Sequence, residues 1–228
     1  MDEMRHDDQT RPPFRGRFHH SPAERWADGI VHAVGIVLAI AAGSTLLALS
    51  AFSAAPAEYV AVIFYVASLL TVFSVSCAYN LWPISPTKWV LRRFDHAAIF
   101  LLIAGTYTPF LAQLTTGTAT TMLVVVWTAT ALGVSVKLFL PGRFDRLAVA
   151  FYLAIGWSGV VVVGDIVDVL PHSTLWLIVA GGMAYSSGVL FFAWQRLRFQ
   201  SAVWHGFVVS GAGLHLAAML DLMVISRV

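Results

Sequence analysis

Three polar groups in this sequence have the residue types and the spacing of a chemical site. Ser76 and Asn80 lie four positions apart, Ser201 and His205 repeat that spacing, and Asp95 stands between the two pairs in the chain. Residues four apart share one face of an α-helix, so each pair would point two polar groups in one direction. Carboxylate, imidazole, hydroxyl and amide groups arranged in this way bind metal ions, transfer protons or form hydrogen-bonded networks.

A further polar set, Glu24, Asp28 and His32, stands at the start of the first long apolar stretch. Two interpretations are open. These groups can be helix-end residues in contact with headgroup water, with Asp28 and Asp95 favoured by the positive end of a helix dipole. Several of them lie inside apolar runs, however, where an ionisable group is costly without a partner or a role. This favours a polar, partly wet cavity that opens on one side of a membrane, with an expected lining of Asp28, His32, Ser76, Asn80, Asp95, Ser201 and His205.

The composition indicates that these groups belong to a membrane protein. Hydrophobic residues make up 58% of the 228 positions, charged residues only 11%, and the mean hydropathy is +0.77. A soluble domain of this size cannot stay dissolved with so few surface charges. The expected partners are therefore membrane lipids and not nucleic acid, while the sequence does not indicate an oligomeric state. The one cysteine, Cys77, excludes an internal disulfide.

Seven apolar runs are long enough to cross a bilayer, whose core of about 30 Å needs about 20 residues per helix. Short segments with turn-forming Pro or Gly residues separate most of them. The sequence therefore predicts an all-α fold, a seven-helix transmembrane bundle over residues 26–228, preceded by a disordered cytoplasmic tail over residues 1–25. The expected helices cover residues 30–52, 59–82, 96–114, 119–140, 147–165, 173–194 and 203–225.

The basic residues predict how this bundle is oriented. All Lys and Arg residues except Arg227 fall in the first 25 residues or near the connections after the second, fourth and sixth helices. Positively charged segments stay on the cytoplasmic side, so the N-terminus is expected in the cytoplasm and the C-terminus outside. Tryptophans near the same boundary, such as Trp82 and Trp204, agree with this orientation. The polar cavity would then open toward the cytoplasm.

Longer motifs resemble those of a known family. The segments are residues 74–80 (SVSCAYN), 88–96 (KWVLRRFDH) and 102–110 (LIAGTYTPF). They closely resemble the hemolysin III family, the bacterial branch of the progestin and adipoQ receptor superfamily, and the resemblance covers nearly everything from about residue 22 onward. It implies seven helices with a cytoplasmic N-terminus, in a multi-pass protein of the bacterial inner membrane.

The resemblance also implies a zinc site inside the membrane, near the cytoplasmic face. The family's ligands are one histidine of a Ser-x-x-x-His motif on the second helix and two of a His-x-x-x-His motif on the seventh. Here Ser76 keeps its place, but the ligand positions hold Asn80, Ser201 and His205. Asn and Ser are poor zinc ligands, so His205 is the remaining candidate metal ligand of the motif. His96 or His32 could be recruited beside it, but the spacing does not require this. We expect no family-type zinc site, although zinc stays possible, and a hydrogen-bonded network of Asn80, Ser201 and His205 in its place.

Three functions follow from the resemblance. The favoured one is a membrane protein with a lipid-related role and a degenerate zinc site, in which the pocket binds lipid without catalysis. The second is a zinc-dependent hydrolase that cleaves a lipid amide, for which Asp95 and Ser76 would be the catalytic residues. The third is a pore-associated haemolysin, which the apolar middles of the helices disfavour.

Overall fold

The computed structural model describes residues 20–114 and 117–227, and every regular element within them is a helix. Seven segments are long and apolar enough to cross a membrane, and the fifth of them, Leu147–Val169, is made of two helices and a 3₁₀ turn. The predicted all-α, seven-helix fold is confirmed. The helices are α1 (Pro22–Ser53), α2 (Pro56–Leu81), α3 (Pro86–Leu111), α4 (Gly117–Phe139), α5 (Asp145–Trp157), α6 (Val163–Val169), α7 (His172–Ala193) and α8 (Gln200–Met223).

The first helix begins at Pro22 and not at residue 30, because its first turns are polar and an apolar run does not reveal them. The Ser21 hydroxyl accepts a hydrogen bond from the Glu24 N–H, and the Glu24 carboxylate accepts one from the Ser21 N–H. This capping box satisfies backbone donors that a helix start leaves open. Residues 22–25, expected in the disordered tail, are therefore helical, while residues 1–19 lie outside the described part of the chain.

The third helix also begins early, at Pro86 and not at residue 96. The Ser85 hydroxyl accepts a hydrogen bond from the Lys88 N–H at 3.4 Å, and proline at the first helical position has the backbone angle that a helix start needs. The charged residues between Pro86 and Asp95 thus belong to the helix and not to a loop. The remaining helix bounds agree with the predicted ones to within about one turn.

The fifth span is interrupted in its middle. The helix α5 ends at Trp157, a 3₁₀ turn covers Ser158–Val162, and α6 follows. The Tyr107 hydroxyl, from α3, lies 3.0 and 2.8 Å from the carbonyl oxygens of Ile155 and Gly156, and it accepts a hydrogen bond from the Gly159 N–H at 2.8 Å. One side chain therefore supplies partners to backbone groups at the break, which a membrane interior would otherwise leave unpaired.

Two hydrophobic clusters hold the bundle together. In the first, α1, α2 and α8 meet around buried residues such as Leu46, Tyr65 and Met219. In the second, Phe100 of α3 packs with Val126 of α4 and with the fifth span. Helix α4 packs directly against the Phe100 ring of α3, since a Cβ atom at Gly133 would lie only 2.4 Å from that ring. Large apolar side chains are exposed around the outside of the bundle, as expected of a surface that faces lipid; they include Phe52, Val124, Phe139 and Trp176.

Contacts between the helix ends define two ends of the bundle. Lys88 of α3 reaches the last turn of α2, and Lys137 of α4 reaches the first residue of α5. We call this the basic end, since the connections that carry most basic residues meet there. At the opposite end, Arg227 pairs with Glu58 at the start of α2. The cytoplasmic location of the basic end stays a prediction.

Candidate functional site

A cavity of about 1930 Å³ lies inside the bundle. It is lined by residues of α1, α2, α3, α5, α7 and α8, and none of the described residues of α4 contributes to it. Loop residues at the basic end, including Pro83, Ile84 and Gly142, belong to the lining, and on α8 the cavity extends as far as His215. The cavity therefore runs from the basic end into the middle of the bundle.

The polar residues singled out in the sequence lie together at the basic end of this cavity. We call these residues the polar layer. They come from four helices, and every one of them contributes to the cavity lining. That the set acts as a functional site stays a prediction. The members of the polar layer are Asp28 and His32 of α1, Ser76 and Asn80 of α2, Asp95 of α3, and Ser201 and His205 of α8.

The Asp28 carboxylate joins α1 to α8. One carboxylate oxygen accepts a hydrogen bond from the His205 Nδ1 at 2.7 Å, and the other accepts one from the Ser201 hydroxyl at 3.2 Å. One turn earlier in α1, the Glu24 carboxylate accepts a hydrogen bond from the Phe199 N–H at the start of α8. The spacing of four in both helices makes this contact possible, because it places successive polar groups on the facing sides.

His32 continues the network from α1 to α2. Its Nδ1 lies 2.8 Å from the Asp28 carbonyl oxygen, so this nitrogen carries the proton and donates. The Nε2 then accepts a hydrogen bond from the Ser76 hydroxyl at 3.3 Å. Asn80 donates to the Ser76 carbonyl oxygen at 2.9 Å. Asn80 also donates to the Ser76 hydroxyl at 3.3 Å, which links it through His32 to the network of Ser201 and His205. The hydrogen-bonded network expected of Asn80, Ser201 and His205 therefore also contains Asp28, His32 and Ser76.

The third helix completes the polar layer with Asp95. This residue is only 9% exposed, and its carboxylate interacts with the Ser76 hydroxyl and with the His205 ring. A buried carboxylate among polar side chains is typical of binding or catalytic sites.

Three side chains of the polar layer have the arrangement of a metal site. Ligand atoms of Asp28, His32 and His205 all lie within 4.8 Å of one another. The two imidazole rings meet edge to face with their centroids 4.3 Å apart. Both histidines donate their Nδ1 proton to an oxygen atom, which leaves Nε2 as the potential ligand atom of each ring, as in many metal sites. The Nε2 of His32 accepts a hydrogen bond from the Ser76 hydroxyl in this structure. Two histidines with one carboxylate form a known ligand set for zinc.

This arrangement places Asp28 beside His205 and His32 as a further candidate ligand, which the sequence did not indicate. The spacing in α1 indicated a polar face with Asp28 and His32, but the sequence does not reveal which helices pack side by side. Helix α1 lies against α8, which brings a histidine and a carboxylate to His205. The family's other two ligand positions hold Asn80 and Ser201 in this chain. Asp28 and His32 of α1 thus stand beside His205 as candidate ligands, whereas the motif positions of α2 and α8 lack two imidazoles.

A second ionic network at the basic end was not predicted. Asp145 receives hydrogen bonds from Arg92 at 2.9 Å and from Lys137 at 2.8 Å, and His96 Nδ1 lies 3.9 Å from the same carboxylate. Asp145 precedes the fifth membrane span. Burial raises its pKa, but the hydrogen bonds from Lys137 and Arg92 outweigh burial and hold the pKa below its ordinary value. This network joins α3, α4 and α5 beside the cavity.

Lys88 has a structural role next to the polar layer. Its ammonium group donates to the carbonyl oxygens of Tyr79, Asn80 and Trp82, at 2.7, 3.2 and 2.9 Å. These carbonyls lie in and just after the last turn of α2, where a helix lacks intrahelical donors and where a cation is favourable. Lys88 thereby fixes the end of the helix that carries Ser76 and Asn80.

The fold and this cavity define a class of protein, namely multi-pass membrane proteins with a polar pocket inside a seven-helix bundle. Comparison with known proteins identifies the family. The model of the family described as "Haemolysin-III related" matches residues 22–216. The chain therefore belongs to the hemolysin III family, as its motifs indicated.

Individual relatives cover most of this chain. The "Hemolysin-3 homolog" of Bacillus subtilis is 34% identical over 190 residues, which are 83% of this chain and 89% of the relative. "Hemolysin-3" of Bacillus cereus is 32% identical over 198 residues, or 86% and 90% of the two chains. The human "Monocyte to macrophage differentiation factor" is 30% identical over 216 residues, or 92% and 88%.

Proposed function

We propose that this protein binds a membrane lipid, with the headgroup in the polar layer and an acyl chain in the apolar part of the cavity. The observation that carries this proposal is the change in the cavity lining with depth. Polar side chains line the basic end, and Val72, Phe73 and Leu102 together with Val208 and Val209 line the cavity further in. A lipid is the ligand whose own polarity changes in the same way.

A variant that fills the apolar part of the cavity tests the proposal. Val208 lines the cavity, and a Trp at this position would occupy the volume assigned to the acyl chain. Val124 is 61% exposed on the outer surface and is not part of the lining, so Val124→Trp is the matched control. We expect lipid to copurify with the unaltered protein and with the control, and to be reduced several-fold in Val208→Trp, by mass spectrometry of the extracted protein. Equal lipid in both variants would contradict the proposal.

A second candidate function, hydrolysis of a lipid amide with a bound metal, is supported by Asp28, His32 and His205. Their donor atoms fit zinc, as described above, even though Asn80 and Ser201 stand at the family's ligand positions. Zinc at this place would supply a Lewis acid beside the lipid headgroup. The chain's own contribution is geometric: Asp28 orients the His205 ring, and the buried Asp95 carboxylate can accept a proton beside Ser76.

Metal content distinguishes the two functions. Hydrolysis requires about one zinc per purified chain by elemental mass spectrometry, and near-complete loss of that zinc in His32→Gln and His205→Gln. His172→Gln, at the start of α7 and outside the cavity lining, is the control that should keep the zinc. Lipid without zinc in the unaltered protein would support the binding function alone. Neither lipid nor zinc would contradict both functions.

A further inference from the structure

The deep end of the cavity carries polar side chains that the proposed function does not use. Tyr185 of α7 and His215 of α8 both line the cavity, and their ring centroids are 5.6 Å apart. Tyr65 of α2 is fully buried in the hydrophobic cluster against which Tyr185 packs. We call Tyr65, Tyr185 and His215 the deep polar group.

Two members of the deep polar group have unused hydrogen-bonding capacity. The His215 Nδ1 lies 2.8 Å from the Gly211 carbonyl oxygen, so Nδ1 carries the proton and Nε2 is left as an acceptor. No residue in the described part of the chain forms a hydrogen bond with this Nε2. The Tyr65 hydroxyl is buried and also lacks a hydrogen-bond partner among the described residues. Buried polar groups are normally paired, so these two indicate a polar ligand atom or a water nearby.

The two rings are held in place by glycines at the contact between α7 and α8. A Cβ atom at Gly181 would lie 2.4 Å from the His215 ring, and one at Gly211 would lie 3.0 Å from the Tyr185 ring. Larger residues at these positions would displace the rings, so the close approach of the two helices sets where both side chains point. The positions of the His215 and Tyr185 rings are therefore fixed by close packing between α7 and α8.

The distance between the two polar parts of the cavity matches the length of one acyl chain. His205 and His215 are ten residues apart on α8, which corresponds to about 15 Å along a helix. Half of a bilayer core, the share of one acyl chain, is also about 15 Å. Between the two histidines, Val208 and Val209 give the cavity an apolar wall.

We propose that the bound lipid carries a hydroxyl group at the far end of its acyl chain, and that the deep polar group recognises it. The hydroxyl would donate a hydrogen bond to the His215 Nε2, and its oxygen would accept one from the hydroxyl of Tyr185, the tyrosine of the group that lines the cavity. This inference rests on the proposed lipid-binding function and adds the chemistry of the chain end. An unsubstituted chain would leave these polar groups unpaired, whereas an ω-hydroxyacyl chain satisfies them.

Two fatty acids of equal length provide the test. Binding of ω-hydroxypalmitic acid and of palmitic acid is measured by isothermal titration calorimetry with delipidated, full-length protein in detergent micelles. We expect the hydroxylated acid to bind about five- to tenfold more tightly, the range that one net hydrogen bond supplies. The preference should fall to about twofold or less in His215→Phe, which removes the acceptor, and should be reduced in Tyr185→Phe, which preserves ring size. His172→Phe, outside the cavity lining, should leave the preference unchanged.

The outcomes separate the two proposals. Tight binding of both acids with no preference would overturn the recognition of the chain end, while lipid binding would stand. Binding of neither acid would overturn both proposals. A preference that persists in His215→Phe and Tyr185→Phe would show that other groups recognise the hydroxyl. If His215→Phe does not fold, Tyr185→Phe alone decides, since it removes one oxygen atom and no ring.

Discussion

The two ends of the bundle hold polar groups of the same kinds but pair them differently. At the opposite end, the Arg227 guanidinium donates to both carboxylate oxygens of Glu58, at 2.7 and 2.8 Å, and to Gln113 at 3.0 Å. The buried Asp221 carboxylate accepts hydrogen bonds from Ser173 and Thr174. None of these residues lines the cavity. All of these hydrogen bonds are made to other protein groups. They hold the start of α2 to the turn after α8, and the start of α7 to the end of α8.

The polar layer at the basic end keeps capacity for a ligand. Asp28 and His205 pair with each other, yet the His205 Nε2 has no hydrogen bond from the described residues, and both side chains line the cavity. The difference shows that an expensive polar group inside a membrane protein is not by itself evidence of a binding site. What distinguishes the two ends is the presence of unused donors and acceptors that face a cavity.

The largest contrast is expected when one aspartate is changed at each end. Asp28→Asn keeps the size of the side chain but removes the negative charge that orients His205 and complements a metal ion. We expect zinc affinity, measured by competition with a chelating dye, to fall by about 10- to 100-fold. Asp221→Asn should leave zinc affinity as it is, since Asp221 lies outside the cavity lining. Equal zinc affinity in Asp28→Asn and the unaltered protein would show that Asp28 does not contribute to metal binding. The proposed difference in ligand-binding capacity between the two ends would then be wrong.

For the stability of the fold, in contrast to zinc binding, we expect the larger effect at the opposite end. Asp221→Ala removes the acceptor for the buried Thr174 hydroxyl and for Ser173, so we expect the free energy of unfolding to fall by about 2 kcal/mol. Asp168→Ala, an exposed carboxylate near the same end, should change it by less than about 0.5 kcal/mol. Unfolding by denaturant in micelles gives both values. Lipid copurification should be unchanged in Asp221→Ala, and its loss would indicate that the opposite end also affects the cavity.

Asp145 sharpens the comparison, because it lies at the basic end but is paired as fully as Asp221. Arg92 and Lys137 hold its pKa below the ordinary value, so the folded state gains stability above the unfolded pKa of about 3.9. That gain is lost as the pH falls through the lower pKa of the folded state. We expect Asp145→Asn to cost about 1 kcal/mol near neutral pH and to flatten the decline in stability below about pH 4. An identical pH dependence of thermal unfolding in the variant would contradict this.

The sequence predicted the helices well because each span must bury its own backbone in lipid, which leaves a long apolar run for every crossing. The polar starts of α1 and α3 were missed, since Ser21 and Ser85 act through capping and not through hydropathy. The members of the polar layer could be predicted because a polar or charged side chain inside an apolar run is energetically costly without a partner or a role. Their pairing could not be predicted, because the contact of Asp28 with His205 spans 177 positions and depends on which helices are neighbours.

The smallest effect is expected at the pair of Glu58 with Arg227, which is partly exposed. Their side chains are 15% and 26% exposed, so water and salt screen the charges despite the two-point geometry. Glu58→Gln should lower the free energy of unfolding by only about 0.5 kcal/mol, and added salt should reduce the difference from the unaltered protein. The backbone carbonyls of Ser53 and Leu222 still accept from Arg227 in this variant, so the helix end should stay attached. A loss as large as that of Asp221→Ala would mean that the charge pair, and not the buried hydrogen bonds, holds the opposite end together.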